Sequence, residues 1–455
     1  MAKLSRTPAP SVAIVGAGWA GCAAALELAQ AGMQVTLIDS GRHPGGRARG
    51  VNLHGHQLDN GQHILLGAYS ESLRLMRKAG VDLGQALLKL PLQMVYPQLE
   101  DGMCFIAPRL PAPLHMLVAL WKTTGLSFAD KQALARFSTT ARWMNWRLHE
   151  DCSVSELLQR FDQTERLCRL MWNPLCIAAL NTPPERASAQ VFLNVLRDSL
   201  GASRAASDML LPRVDLSALF PEKAAALVTK HGGQVIMGHA VQALHQNAES
   251  KWQLDIKHSE TTAADLPVFD TVILASDFAN AERLMQTLPG HANTIPTFSY
   301  EAITTCYLQY EQALRLPRPM LALLDDPAQS KWGQYVFDRG QLHDAQAGLL
   351  AVVVSASEQA CALDQQQLAQ DIAAQLATSL GMPTLLQPLW HKCISEKRAT
   401  FSCTPGLTRP DNQTSSPGLF LAGDYTKGDY PSTLEGAVRS GVAASKAVLA
   451  FIKSK

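Results

Sequence analysis

Three glycines and an acidic residue near the start of the chain have the spacing of a dinucleotide-binding turn. Gly16, Gly18 and Gly21 form G-x-G-x-x-G directly after the apolar run SVAIV, and Asp39 follows Gly21 by 18 residues. The first glycine permits a tight turn, the second lets the backbone approach a pyrophosphate, and the third lets a helix pack closely on the strand. An acid at this distance binds ribose hydroxyls. The predicted contacts are Gly16, Gly18, Trp19, Ala20, Gly21, Asp39 and Ser40.

A second glycine turn, which carries a cation, follows in SGRHPGGRARG. A dinucleotide with a long ribityl tail needs a second approach lined by backbone, and an arginine can neutralise its pyrophosphate. The alternative is an exposed basic loop, because Arg42 and Arg49 lie close by. The first interpretation adds Gly45, Gly46, Arg47 and Ala48 to the predicted site.

The C-terminal stretch GLFLAGDYTKGDYPSTLEGAVRSG distinguishes between two dinucleotides. It has the pattern of a short apolar strand, an acidic turn at Gly423 and Asp424, and a helix start. In FAD-binding proteins a distant strand returns to the nucleotide sheet, its acid meets the ribityl chain, and the next helix points its N-terminus at the flavin. NAD enzymes need no such element, so the sequence predicts FAD. The predicted contacts are Gly423, Asp424, Leu434, Glu435, Gly436 and Ala437.

The elements around these motifs predict an α/β fold. SVAIVGAG, QVTLIDS and FDTVILAS have the pattern of buried parallel strands, and CAAALELAQAG that of a helix. Residues 86–204 show helical periodicity, whereas residues 291–409 mix strands such as ITTCYLQY and GLLAVVVSAS with one helix. Aromatic and sulfur side chains at Trp143, Met144, Trp146, Met171 and Trp172 suit either a long apolar pocket or ordinary helical core packing, and we favour the core.

The composition excludes several classes of protein. With 40 basic and 39 acidic residues the net charge is +1, without the clustered basic face of a nucleic-acid binder. Nine cysteines form no C-x-x-C pair and no metal-site spacing. Neither a signal peptide nor an apolar run of spanning length is visible, so we expect a cytoplasmic protein. The segment Leu110–Phe128 is the most membrane-like, and either surface contact with a bilayer or burial as a helix would explain it.

The three FAD motifs together resemble the amine oxidase and phytoene desaturase superfamily of flavoenzymes. LDNGQHILLGAY, WNPLCIAALNTPPERAS and EKRATFSCTPGLTRP narrow the resemblance to the bacterial squalene-associated FAD-dependent desaturases, that is, the hydroxysqualene dehydroxylases of hopanoid biosynthesis. The resemblance covers nearly the whole chain. It implies a discontinuous Rossmann-type FAD-binding domain (1–85, 205–290 and 410–455) and a mixed α+β substrate domain of amine oxidase type (86–204 and 291–409).

The resemblance also implies further site residues. It places Val241 near the adenine and passes the backbone of Gly61, Gln62 and His63 beside the flavin ring. His63 is the candidate catalytic acid because histidine titrates near neutrality, and a structural histidine is the alternative. Lys397 and Arg398 suit either pocket cations or a charged strand edge.

The implied reaction is hydride delivery from reduced FAD to an allylic cation of hydroxysqualene, which gives squalene. A carotenoid-type polyene desaturase or an amine oxidase shares the same motifs, and the sequence does not fix the direction of hydride transfer. A prenyl-lipid carrier of the same fold is the non-enzymatic alternative. The expected partners are a long isoprenoid substrate, the inner membrane surface and other enzymes of squalene synthesis.

Overall fold

The computed structural model describes residues 9–98, 100–258, 266–289 and 297–455. Within these ranges the chain alternates between strands and helices. The strands are β1 (Ser11–Val15), β2 (Gln34–Asp39), β3 (Gly50–Leu53), β4 (His56–Asp59), β5 (Leu65–Leu66), β6 (Leu87–Leu90), β7 (Gln93–Val95), β8 (Cys104–Ile106), β9 (Met209–Pro212), β10 (Gln234–Met237), β11 (His239–Gln246), β12 (Trp252–His258), β13 (Thr271–Leu274), β14 (Tyr300–Gln309), β15 (Met320–Ala322), β16 (Tyr335–Asp338), β17 (Leu349–Ser355), β18 (Trp390–Phe401) and β19 (Leu419–Leu421).

The helices lie between and after these strands along the chain. They are α1 (Trp19–Gln30), α2 (Ser70–Lys78), α3 (Leu83–Ala86), α4 (Leu114–Lys122), α5 (Phe128–Trp143), α6 (Val154–Arg160), α7 (Glu165–Leu167), α8 (Asn173–Leu180), α9 (Ala189–Ser199), α10 (Leu216–Leu219), α11 (Pro221–Lys230), α12 (Phe278–Met285), α13 (Gln365–Leu380) and α14 (Leu434–Ser454). A π-helical turn, Cys168–Trp172, joins α7 to α8.

A five-stranded parallel sheet with the order β10-β2-β1-β13-β19 confirms the predicted Rossmann-type fold. Its central strands are mostly apolar because both faces are covered, one by helices and the other by the β11–β12 hairpin and α12. Helices α1, α11 and α14 pack together beside the sheet. Small residues allow this packing: a Cβ at Gly441 of α14 would lie 2.2 Å from the Ala20 carbonyl of α1.

A second five-stranded sheet, antiparallel throughout, has the order β15-β16-β17-β14-β18. Helix α13 covers one face of it, against a core of its own. The helical segment α4 to α9 packs into the core shared with the other face of this sheet. The predicted domain limits stay a prediction, and the limit at residues 290 and 291 lies outside the described residues.

The aromatic residues of the helical segment divide in two. Trp146, Met171 and Trp172 are buried in the shared core, as the favoured interpretation predicts. Trp143, by contrast, is 86% exposed, so it contributes neither to the core nor to a pocket. No helix in the described parts of the chain is long and apolar enough to cross a membrane.

Candidate flavin site

A cavity of about 850 Å³ opens at the carboxyl ends of the parallel strands, where α/β sheets bind their ligands. It extends from the glycine-rich turn to the antiparallel sheet. All but three of the predicted cofactor residues line it: Gly16, Gly18, Trp19, Ala20, Asp39, Ser40, Gly45, Gly46, Arg47, Ala48, Gly61, Gln62, His63, Val241, Gly423, Asp424, Leu434 and Ala437. Residues that are far apart in the sequence therefore meet around one space.

The three glycines of the first turn have the geometry that their spacing predicts. Gly16 has a φ of +113°, and a Cβ there would meet the Ala275 carbonyl oxygen at 2.6 Å. A Cβ on Gly21 would lie 1.9 Å from the Gly16 carbonyl oxygen, so Gly21 serves helix packing and does not line the cavity. A Cβ on Gly18 would meet no neighbour closer than the Cα of Gly46 at 4.0 Å. The space beside Gly18 is therefore open to a ligand.

The Asp39 carboxylate ends β2 and holds two loops. One of its oxygens accepts from the Ala17 amide at 2.6 Å, and the other accepts from the Gly41 amide at 2.6 Å. These bonds fix the carboxylate at the rim of the turn. Its position beside the cavity suits a contact with ribose hydroxyls.

The second glycine turn packs directly on the first. The Gly45 amide donates to the Ala17 carbonyl at 2.9 Å, and Gly45 and Gly46 have φ values of +131° and +62°. Side chains at these positions would be strained, and a Cβ on Gly46 would lie 3.2 Å from the Cα of Gly18. Together the two turns make a cradle lined by backbone that fits the pyrophosphate of FAD.

Arg47 and Asp424, which lie 377 residues apart, form an ion pair with Nη2 2.5 Å from Oδ1. The other Asp424 oxygen accepts from the Ser432 hydroxyl, and Arg47 Nη1 donates to the Ala399 carbonyl at 2.8 Å. Asp424 is buried, whereas the side chain of Arg47 is about one third exposed. The C-terminal turn is thus held against the second glycine turn at the edge of the cavity.

Of the four residues predicted at the start of α14, Leu434 and Ala437 line the cavity, whereas Glu435 and Gly436 do not. The fully buried Glu435 carboxylate accepts from the Ser72 amide at 2.9 Å and the Ser72 hydroxyl at 2.7 Å, so it binds α14 to α2. The Gly436 amide donates to the Thr433 side chain that caps the helix. Successive side chains of a helix are about 100° apart around its axis, so the side chains of four successive residues cannot all face one cavity, and the predicted contact of the helix amides with the flavin stays a prediction.

The loop that contains His63 is held by strand β14. The Thr305 hydroxyl accepts from the Gln62 amide at 3.1 Å, and the Tyr307 hydroxyl donates to the Asp59 carbonyl at 2.9 Å. Thr305 and Tyr307 are two positions apart, so they share one face of the sheet. The loop and this face consequently border the same part of the cavity.

His63 faces the cavity with one ring nitrogen already engaged. Nδ1 lies 2.7 Å from the Gly61 carbonyl oxygen, which can only accept, so Nδ1 carries a proton. Removal from water lowers the pKa of His63 below its ordinary value, and the Gly61 carbonyl partly offsets this effect. In the neutral ring Nε2 is therefore an acceptor. His63 can donate a proton to a ligand only when the ring is charged.

Arg339, which the sequence analysis missed, supports the same loop from behind. The side chain is buried, and it donates from Nη1 to Gln62 Oε1 at 2.8 Å and from Nε to Gln346 Oε1 at 2.8 Å. Gln62 in turn donates from Nε2 to the His63 carbonyl at 3.1 Å. The arginine thus fixes which way the Gln62 amide points.

The apolar wall of the cavity comes from the antiparallel sheet and α8. Ile303 pairs with Ser355, and Tyr335 pairs with Val353, so these positions share the cavity face of the sheet. The apolar runs in ITTCYLQY and GLLAVVVSAS indicated buried strands, but they did not indicate which side chains face the cavity. The lining residues on this side are Ala178, Ala179, Asn181, Ile303, Tyr335, Phe337, Val353, Ser355, Glu396, Ala399 and Thr400. Lys397 is exposed, and Arg398 lies over the Tyr300 ring near a smaller side pocket.

Comparisons with known proteins agree with this geometry. A family model described as flavin containing amine oxidoreductase matches residues 19–449. Hydroxysqualene dehydroxylase of Rhodopseudomonas palustris is 28% identical over 453 residues, which cover 97% of this chain and 98% of that protein. Zeta-carotene desaturase of Zea mays is 24% identical over 484 residues, which cover 96% of this chain and 83% of that protein. A solved triple mutant of putrescine oxidase has a TM-score of 0.70 at 17% identity, with 98% of this chain and all of that chain covered.

Proposed function

Because the chain belongs to the flavin-containing amine oxidoreductase family and is an FAD-dependent oxidoreductase, we propose that it reductively removes the allylic hydroxyl of hydroxysqualene to give squalene. One observation carries this proposal: a single cavity runs from the dinucleotide cradle to an apolar sheet face, in a chain that hydroxysqualene dehydroxylases match along nearly its full length. The substrate is then a long isoprenoid alcohol. The prenyl-lipid carrier is set aside because the chain is an oxidoreductase.

The reaction sets two requirements for the protein. The carbon–oxygen bond breaks, the hydroxyl leaves as water after it takes up a proton, and a hydride closes the allylic cation. Reduced FAD supplies that hydride when it is bound. The protein has to hold the hydrocarbon against the flavin position and place one proton donor beside the leaving oxygen. Hydroxide is a poor leaving group, so the donor governs the rate.

Apolar side chains meet the first requirement. Ala178, Ile303, Phe337 and Val353 line the end of the cavity away from the glycine cradle. Burying a hydrocarbon there removes apolar surface from water, which is worth about 25 cal/mol per Å². Few charges lie among these residues, so the wall does not compete with the flavin for a developing cation.

His63 is the proposed donor for the second requirement, since it borders the cavity between the cradle and the apolar wall. A proton for the leaving hydroxyl would come from Nε2, because Nδ1 is bound to the Gly61 carbonyl. The lowered pKa of His63 means that few rings are charged at neutral pH. If His63 is the acid, the chemical step should therefore slow as pH rises from below its ordinary value of 6.5.

An anaerobic single-turnover experiment tests the proposed reaction. The purified protein is reduced, mixed with hydroxysqualene in detergent, and followed by flavin absorbance while squalene is measured by mass spectrometry. We expect flavin oxidation and squalene formation at equal rates. If no substrate-dependent oxidation occurs, the dehydroxylase proposal fails. Reduction of the oxidised enzyme by a polyene would then favour a desaturase, as would be consistent with the likeness to zeta-carotene desaturase.

A further inference from the structure

Exposed apolar side chains are concentrated in one segment of the chain. Among the described residues ten large apolar side chains are exposed, and six of them lie in the short stretch from residue 110 to residue 143. We call these six the docking surface: Leu110, Leu114, Leu117, Trp121, Phe128 and Trp143. Trp121 and Phe128 are each 76% exposed. An apolar patch of this kind marks a site of interaction.

The docking surface is ordered by two helices. In α4, Leu114, Leu117 and Trp121 follow the spacing of one helical face, while His115 and Ala119 point into the protein. In α5, Phe128 and Trp143 stand on the outer face at opposite ends of the helix. The Lys131 ammonium donates to the Trp121 carbonyl at 3.0 Å. The end of α4 and the first turn of α5 are therefore adjacent.

The segment that carries the docking surface has more basic than acidic side chains. Residues 102–149 contain six basic side chains, Arg109, Lys122, Lys131, Arg136, Arg142 and Arg147, against the single acid Asp130, while four acids flank the segment directly at Glu100, Asp101, Glu150 and Asp151. Asp130 is buried, and it is occupied by the Ser127 and Thr164 hydroxyls. The whole chain carries a net charge of only +1, so this excess is local.

We propose that the docking surface binds the anionic face of a phospholipid bilayer, with its aromatic and leucine side chains in the headgroup boundary and its arginines at the phosphates. Apolar residues beside basic ones are what interfacial helices use. A second copy of the chain suits the surface less well. A symmetric dimer would place the same patch against itself and bring like charges together.

The position of the docking surface in the fold gives this contact a use. Phe137, on the inner side of α5, packs on Trp172 with ring centroids 4.8 Å apart. Trp172 directly precedes α8, whose Ala178 and Ala179 line the cavity. Helix α5 therefore packs on the segment that leads into one wall of the cavity, and under the proposed function this cavity takes a water-insoluble hydrocarbon. Membrane binding itself does not depend on that function.

Vesicle flotation of the FAD-loaded protein tests the proposal without substrate. Vesicles of phosphatidylcholine alone are compared with vesicles that also contain phosphatidylglycerol, at low and high salt. We expect the wild type to float with the anionic vesicles and to bind neutral ones less. Trp121→Ser with Phe128→Ser should abolish flotation. Leu386→Ser with Leu389→Ser, also exposed but outside the docking surface, is the matched control and should float as wild type.

The basic residues are tested separately. Arg136→Gln with Arg142→Gln should weaken partitioning into anionic vesicles about 30-fold, since each cation near the surface contributes about 1 kcal/mol. Lys446→Gln with Lys453→Gln, on exposed positions of α14, removes the same charge elsewhere and should change nothing. Bound flavin and the unfolding midpoint show that each variant is folded.

Three outcomes would overturn the proposal. One is failure of the wild type to float with any vesicle, and another is flotation of the Trp121 and Phe128 variant as wild type. The third is a dimer in solution that the same variant converts to a monomer, since this would assign the surface to a second copy. Single turnover in detergent distinguishes failure of the membrane proposal from failure of the proposed reaction. A dehydroxylase that does not bind vesicles would still oxidise its flavin with hydroxysqualene.

Discussion

At the nucleotide end of the cavity, backbone groups from two neighbouring glycine turns form the wall, whereas at the other end side chains from four distant segments do. The cradle depends on open space beside Gly18 and on positive φ angles at Gly45 and Gly46. The apolar end depends on strand register and on bonds such as that from Arg339 to Gln62, 277 residues apart. The nucleotide end is therefore sensitive to an added side-chain atom, and the apolar end is sensitive to the loss of a contact that supports it.

The largest effect is expected at the cradle. Gly18→Val should abolish FAD binding, because the side chain would fill the space that the pyrophosphate takes, although the protein itself offers room for it. The measurement is flavin content of the purified, folded variant. Gly428→Val, at a glycine with open surroundings in the C-terminal loop, is the control and should stay yellow. Stoichiometric FAD in the Gly18 variant would show that the cradle does not hold the cofactor.

The next largest effect is expected at the end of the cavity that distant segments build. His63→Ala should slow the chemical step by a factor of about 10²–10⁴, the usual contribution of a general acid, while flavin stays bound. His231→Ala, on the surface, is the matched control. His63→Gln should also remove the fall in rate with rising pH that the lowered pKa of His63 predicts. Single-turnover flavin oxidation as fast as in the wild type would make His63 structural only.

These two ends also differ in how far the sequence predicts them. Motif spacing predicts the cradle and places Asp39, Arg47 and Asp424 beside it, because a glycine turn is a local object with fixed geometry, but it does not predict the ion pair between Arg47 and Asp424. The contact of Gln62 with Thr305 and Arg339 does not follow from motif spacing either, because strand register decides it. Glu435 was predicted at the site as part of the helix start whose amides face the flavin, and helical rotation turns its side chain towards Ser72. Trp143 was expected in the core or a pocket because it lies in a cluster of aromatic residues, but its side chain is 86% exposed.

The buried carboxyl of Asp59, beside the end of the cavity that distant segments build, supplies a test that depends on pH. Burial raises the pKa of Asp59 from 3.8 to about 7, although the Leu216 amide and Arg339 partly oppose the change. Between pH 3.8 and about 7, Asp59 keeps its proton in the native state but has lost it in the unfolded chain. The stability from this group is thus present at low pH and lost as pH rises towards 7. The slope is at most about 1.4 kcal/mol per pH unit.

Asp59→Asn should therefore gain stability relative to the wild type as the pH rises from 4 to 8, since the amide cannot ionise but can still accept from the Leu216 amide. Urea unfolding of both proteins at fixed FAD saturation measures the difference at each pH. Asp411→Asn, whose side chain is 71% exposed, should show no such trend. A constant difference across the range would mean that Asp59 titrates normally.

The smallest of the expected effects lies where the two ends meet. Asp424→Ala should weaken FAD binding by about 1.5–3 kcal/mol, the value of one hydrogen bond to a charged group. Asp429→Ala, in the same loop with its side chain 70% exposed, is the control for the loop.

The Asp424→Ala substitution also frees Arg47, whose Nη2 is 2.5 Å from Asp424. A freed arginine would bind the pyrophosphate more strongly, and this gain would hide part of the loss. Arg47→Met and the double variant separate the two effects. If Asp424 touches the ribityl chain, its removal still weakens binding in the Arg47→Met background. If Asp424 only positions Arg47, its removal has no effect in that background, and the C-terminal turn acts on the cofactor solely through the arginine.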